Sequence, residues 1–194
     1  MTTKEKEIEI ETKWFENHVA KLEQHGGLQV LTFGEVGTSC YYIRFVFDNH
    51  KLYISGDLGE AVFSLTWKAT LESFSELNLG YFLGKLTAYD GDKYDFNGNL
   101  AKDELVEWFE DYKEDTEFTD QDIEDINELI NGADNCSSEE QWAWEYINCG
   151  DYEIISDYGL GDDGWIYMIG RETPIRLVSY LVALKMAYTQ LRGE

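Results

Sequence analysis

The stretch GGLQVLTFGEVGTSCYYIRFVFDNHKLYISGDLGEAVFSLTW, residues 26–67, decides the fold class. It contains four short runs rich in β-branched and aromatic residues: 28–33 (LQVLTF), 41–47 (YYIRFVF), 51–55 (KLYIS) and 61–66 (AVFSLT). Between them lie 34–37 (GEVG), 48–50 (DNH) and 56–59 (GDLG), each with the composition of a hairpin turn. Parallel strands need long crossovers, and these connections are too short for one. The run therefore predicts an antiparallel four-stranded meander over about residues 28–66.

The pattern on either side is helical. Ile8, Phe15, Val19 and Leu22 fall near one face of an amphipathic helix over 4–24, and Gly26-Gly27 reads as its stop. Residues 73–86 suit one or two short helices around Gly80 and Gly84. Residues 90–98 form a polar turn. Residues 100–115 and 120–131 read as two amphipathic helices, split near 116–119. Ser137 and Glu140 have capping-box spacing before a further helix through about Ile147. Thr173-Pro174 offers an N-cap and a first-turn proline for a C-terminal helix, whose Leu177, Leu181, Leu184 and Tyr188 form an apolar stripe. The chain shows no internal repeat and no clear linker. The reading is α+β: one domain over 1–194, with the meander packed by N-terminal, central acidic and C-terminal helices, and with an acidic helical segment over 100–148.

Composition limits the function. Hydrophobic residues make up 43% and aromatic residues 15% of the 194, so a packed core is expected. The formal net charge of −24 is about three times the upper end of the roughly 2–8 that keeps a small domain soluble. Such charge disfavours direct nucleic-acid binding, which needs Lys and Arg, and favours basic proteins or cations as partners. The charged start MTTKEKEIEIETKWF has no apolar signal core, and no run of about 18 apolar residues could span a bilayer. The expectation is a cytoplasmic protein without a membrane partner. Cys40, Cys136 and Cys149 lack C-x-x-C spacing and read as reduced, buried, small hydrophobes.

No catalytic motif is present. The stretch DGDKYDFNGNLAKDE (90–104) has calcium-loop composition, but position 6 counted from Asp95 is Leu100 and position 12 is Val106, where Gly and a bidentate Glu are required. A turn leading into a helix is the plainer reading. Asp157, Asp162 and Asp163 beside glycines could hold a divalent cation, and such a carboxylate cluster is the basis of the alternative function, a metal-dependent hydrolase or nuclease. Asp-Gly is equally an ordinary turn sequence, so no cofactor and no metal site is assigned. His18 reads as exposed on the first helix and His50 as a turn residue. Trp142, Trp144 and Tyr146 cannot all face one side of a helix. One of them could anchor a partner, which gives a further alternative, an aromatic-anchored interaction module.

The central segment DELVEWFEDYKEDTEFTDQDIEDINELI (103–130) contains thirteen acidic residues and one base, Lys113. Glu104, Glu107, Asp111 and Glu114 form one row at helical neighbour spacing, and Asp103, Glu107, Glu110 and Glu114 form a second. Leu105, Trp108, Phe109 and Tyr112 fit the opposite face of the first helix, and Ile123, Ile126 and Ile130 that of the second. Like charges at i,i+4 cost a few tenths of a kcal/mol each, so the pattern opposes folding. Helix dipoles favour Asp103, Glu104, Asp120 and Asp122 in first turns, but not Glu107, Glu110, Asp111, Glu114, Asp125 or Glu128. At about 1.5 Å per residue the segment carries roughly one negative charge per 3 Å, against one per about 3.4 Å on a strand of B-DNA. The candidate partner-binding residues are Glu104, Glu107, Glu110, Asp111, Glu114, Asp115, Glu117, Asp120, Asp122, Glu124, Asp125 and Glu128. The bland alternative is a solvated acidic face.

KLYISGDLGEAVFSLTW (51–67), followed by LNLGYFLGKL (77–86), resembles small proteins encoded by phages and prophages of low-GC Gram-positive bacteria. The shared features are a strand ending in Gly-Asp, a short turn and a second strand ending in Trp, over about residues 28–110. Strongly acidic proteins of this kind include anti-CRISPR inhibitors, several of which occupy the basic nucleic-acid channel of a CRISPR effector nuclease. The resemblance implies a non-enzymatic inhibitor, acting in the bacterial host cell by acidic nucleic-acid mimicry. The implied partner is a basic nucleic-acid-binding protein, such as a type II CRISPR effector nuclease with or without guide RNA. It transfers no functional residue.

Overall fold

The fold is taken from a computed structural model, which describes residues 1–148, 158 and 164–193. It is α+β, and its contacts divide the chain into two compact units. One unit comprises residues 1–93 and 173–194, the other residues 94–172.

The first unit is built on six antiparallel strands in sequence order: β1 (Val19–His25), β2 (Leu28–Gly34), β3 (Ile43–Asp48), β4 (Lys51–Gly56), β5 (Ala61–Ser64) and β6 (Leu86–Tyr89). The four strands expected from residues 26–67 are its centre, and β1 and β6 extend it at either edge. Register aligns the apolar residues of alternate positions into rows. Leu31 faces Phe45, Ile54 and Ala61 in succession, and Phe47 faces Leu52 and then Phe63. All are buried. The period of two gives the sheet one apolar face.

The N-terminal helix is shorter than its periodicity suggests. α1 (Thr3–Glu9) continues through a π-helical turn (Ile10–Trp14) and ends. Residues 19–25 pair with β2 along their full length, and Gly26-Gly27, which read as a helix stop, is the two-residue hairpin loop. Gly26 there adopts φ +61°, the left-handed conformation such loops require. Lone sequence periodicity fitted Val19 and Leu22 to a helix face, and cross-strand hydrogen bonding overrides it.

A short 3-10 turn (Leu71–Phe74) and α2 (Leu79–Leu83) precede β6. The C-terminal helix, α6 (Ile175–Arg192), lies against β1, α1, the π-helical turn, the 3-10 turn and α2. Every residue from Leu177 to Leu184 is buried, so the expected stripe is a fully enclosed segment. Pro174, not Thr173, occupies the N-cap position. The Thr173 carbonyl instead accepts a 2.7 Å hydrogen bond from Nζ of the buried Lys6. The Tyr180 hydroxyl donates to the Leu58 carbonyl at 2.6 Å. Burial pushes its ionisation well above the usual phenol range.

His18 is likewise inside, tilted against Phe15 and Phe33, with Nε2 3.2 Å from the Tyr41 carbonyl. Its expected exposure rested on the longer helix. His50 does lie at the β3–β4 turn, with Nδ1 2.9 Å from the Trp67 carbonyl. Cys40 is exposed, contrary to expectation, because it lies in the loop before β3; Cys136 is buried. Cys149 lies outside the described residues.

Among the described residues, the second unit contains β7 (Asp95–Phe96) paired with β8 (Arg171–Glu172), and the α-helices α3 (Gly98–Tyr112), α4 (Asp120–Asn135) and α5 (Glu139–Trp142), the last running on as a π-helical turn (Ala143–Asn148). Its core gathers Leu105, Ile126, Leu129, Ile130, Trp142 and Ile166. The Trp142 indole donates to the Ile166 carbonyl at 2.8 Å. Tyr146 stacks on Trp142 and lies directly over Gly132, where any side chain would collide.

The acidic helical hairpin as candidate functional site

α3 and α4 form the hairpin on which the acidic residues stand. Asn97 caps α3 by accepting from the Leu100 amide at 3.1 Å, which commits a side chain of the calcium-like stretch to a helix start. Thr119 caps α4 in a capping box with Asp122: the Asp122 amide donates to the Thr119 hydroxyl, and the Thr119 amide donates back to the Asp122 carboxylate at 2.7 Å. Ser138, not Ser137, caps α5. The two long helices run antiparallel. Lys102 near the start of α3 pairs with Asp134 near the end of α4 at 3.6 Å, while Phe109 packs against Phe118 at the connection.

The apolar faces are partly as expected. Leu105, Ile126 and Ile130 are buried, and Trp108 and Phe109 half-buried. Tyr112 and Ile123 point outward instead. Each lies near a helix end beside the connection, with Tyr112 stacked on Trp108.

The structure separates the twelve candidate carboxylates into two groups. Three have internal work. Glu104 accepts from the Gly170 amide at 2.7 Å, and Gly170 makes this approach at φ +71° with its α-carbon against α3. Asp122 holds the capping box and also accepts from the Tyr158 hydroxyl at 2.9 Å. The Thr119 hydrogen bonds hold its carboxyl below the usual range. Asp125 is buried and accepts from Gln121 Nε2 at 2.8 Å. Sequence spacing placed it among the outward acids, but α4 turns it toward the protein. The other nine are exposed: Glu107, Glu110, Asp111, Glu114, Asp115, Glu117, Asp120, Glu124 and Glu128.

Within residues 94–172 there are 24 acidic and three basic residues, a formal charge of −21. All three bases are in ion pairs: Lys102 with Asp134, Lys113 with Glu110, and Arg171 with Glu139. The Arg171–Glu139 pair is bidentate, with its second bond at 2.9 Å, and holds the Glu139 carboxyl below its ordinary range. The unit has no further cation with which to neutralise the exposed carboxylates.

Asp103, Asp134, Glu140 and Glu145 extend the exposed acidic surface beyond the sequence candidates. Helical spacing on α3 points to Asp103, Asp134 lies past the expected end of the second acidic helix, and Glu140 and Glu145 stand on the helix that follows. Trp142 is core, whereas Trp144 is 67% exposed between Ala143 and Glu145. Among the described residues no group of three or more His, Cys, Asp or Glu could hold a metal ion. Asp157, Asp162 and Asp163 lie outside the described residues. No helix among the described residues is long and apolar enough to cross a membrane.

No protein-family model, curated protein or solved structure matches the chain.

Proposed function

We propose that the acidic hairpin binds a basic nucleic-acid-binding protein in place of its nucleic acid. The carrying observation is that nine candidate carboxylates are exposed on a unit whose three bases are each already paired. Because the chain folds back at residues 113–119, the useful comparison is with a duplex. A hairpin of a 15-residue and a 16-residue helix is about 24 Å long. It presents Asp103 and the nine exposed candidates, ten carboxylates of which Glu110 is paired with Lys113, where a duplex of that length carries about 14 phosphates. Charge of this density steers a basic groove toward encounter and makes the affinity depend on salt.

The first partner to test is a type II CRISPR effector nuclease, the class implied by the resemblance to acidic phage proteins. Binding is measured with and without guide RNA across a salt series, and by displacement of labelled DNA. The expected result is competitive displacement that weakens steeply with salt. Replacing Glu107, Asp111, Glu114, Glu124 and Glu128 by their amides is expected to abolish it. Retention of binding and displacement by that variant would overturn the proposal. The exposure of Trp144 favours a second reading, an interaction anchored by that indole. It predicts binding that survives high salt and fails in Trp144→Ala.

A further inference from the structure

The first unit ends at an open strand edge. β1 pairs only with β2, so its other side carries the main-chain groups that point away from the sheet. Their identity is fixed by Gln190. Its Oε1 accepts from the Ala20 amide at 3.0 Å, and its Nε2 donates to the His18 carbonyl at 2.9 Å. Even-numbered residues of β1 therefore point their N–H and C=O outward. By the two-residue period, Leu22 and Gln24 do the same. Among the described residues, nothing bonds those outward groups.

A groove with leucines at its mouth, and with the Glu72–Arg192 ion pair in its wall, lies beside the edge strand. Leu22 is 38% and Leu191 44% exposed. Together with Gln29, Leu71, Tyr188 and Arg192 they line this groove of about 300 Å³.

The charge pattern along the edge selects what can pair with it. Lys21 and Glu23 flank Leu22 and lie 3.2 Å apart on one face of the strand. Consider a second β1 antiparallel to the first with a twofold axis at Leu22. Leu22 then exchanges both main-chain hydrogen bonds with its own copy. Lys21 stands opposite Glu23 of the other copy, and Glu23 opposite Lys21. Shifting the axis by one residue either way sets Lys21 against Lys21 or Glu23 against Glu23, which is unfavourable for directly opposed side chains. The same register brings the two Leu22 side chains together at the mouths of the grooves. The unit has 15 acidic and 12 basic residues, a formal charge of −3, so most of the chain's charge of −24 lies outside the unit that carries the paired strand.

We propose that the protein self-associates through β1, antiparallel about Leu22, joining two six-stranded sheets into one. Gln190 opposes this. In the paired state Gln24 of the other copy takes the position beside Ala20 that the Gln190 amide occupies. Gln190 thus mimics the missing strand and limits pairing to chains in which it swings aside. The inference is independent of the partner proposed for the acidic hairpin.

Sedimentation velocity of the full chain across a concentration series tests it. The wild type is expected to pass from monomer to dimer. Gln190→Ala is expected to lower the dissociation constant by about tenfold, since it removes the competing hydrogen bonds at both ends of the pairing. Lys21→Glu and Glu23→Lys each set like charges opposite one another and are expected to weaken dimerisation. The double reversal restores it. Amide hydrogen exchange at Leu22 and Gln24 is expected to slow as the dimer forms, and circular dichroism reports whether each variant is folded. A chain that stays monomeric both as wild type and as Gln190→Ala would overturn the proposal. So would a dimer indifferent to the single reversals, or one that the double reversal fails to restore.

Discussion

Residues 94–172 carry a formal charge of −21 and the rest of the chain −3, on two cores of different construction. In the sheet unit, charge is balanced and order comes from distant pairing. Lys6 reaches Thr173, Ala20 reaches Gln190, and Leu58 reaches Tyr180. In the acidic unit, neighbouring helices form the hairpin and local caps hold their ends. The contrast shows where uncompensated charge can be tolerated. A helix satisfies its own backbone hydrogen bonds and needs only one apolar face to dock, so the opposite face is free to carry like charges. A central strand depends on neighbours on both sides, and opposed like charges there act directly against pairing.

The largest effects should come from the two cores. Trp142→Ala removes a fully buried indole and its bond to Ile166, and Phe45→Ala a buried ring of the sheet. Each is expected to cost about 3–5 kcal/mol, read by chemical denaturation. If Trp142→Ala leaves stability unchanged, the acidic unit does not depend on the core described.

The pH response should separate the units. Burial lowers the pKa of His18, opposed by the Tyr41 carbonyl and the charge of Glu35. The folded imidazole therefore stays neutral where an unfolded one takes a proton. Stability from this group is full above about pH 6.5, the ordinary value. It falls as pH drops below that, with a slope of at most about 1.4 kcal/mol per pH unit, until the folded state is protonated too. The lowered carboxyls of Asp122 and Glu139 act at lower pH. Their contribution is present above about pH 4 and is lost as pH falls through their depressed values. Thermal melts of wild type and His18→Gln between pH 5 and 7 (roughly the ordinary histidine range) check this. Equal slopes would show that His18 is not the responsible group.

Thr119→Ala deletes the cap of α4 and is expected to cost about 1 kcal/mol, with the loss confined to residues 94–172 by hydrogen exchange. Glu107→Gln is the smallest and has the opposite sign. Relieving repulsion with neighbours such as Asp103 and Asp111 should stabilise α3 by a few tenths of a kcal/mol, an effect that added salt erases. Destabilisation by Glu107→Gln would mean that this carboxylate has an internal partner.

Much of this was legible in sequence because it is local. Strands β2 to β5 announce themselves by β-branched runs between turns, and α3 and α4 by apolar spacing. Residues 19–25 do not, since Val19 and Leu22 suit either a helix or a strand. Their state is decided by β2, whose Leu28–Gly34 offers hydrogen bonds along the full length. β6 is illegible for a related reason: four residues are too few to show a period, and pairing with β5 defines them.

The acidic site divides in the same way. The density of carboxylates over 103–130, and the two helices that bear them, follow from composition and helical spacing alone. Which carboxylates face outward was a tertiary decision. Asp125 is buried against Gln121, Glu104 is bound by the Gly170 amide, and Asp122 is held by Thr119 and Tyr158. Helical spacing gives relative angles around an axis, but the direction of the core and the identity of distant donors are set only when the helices pack.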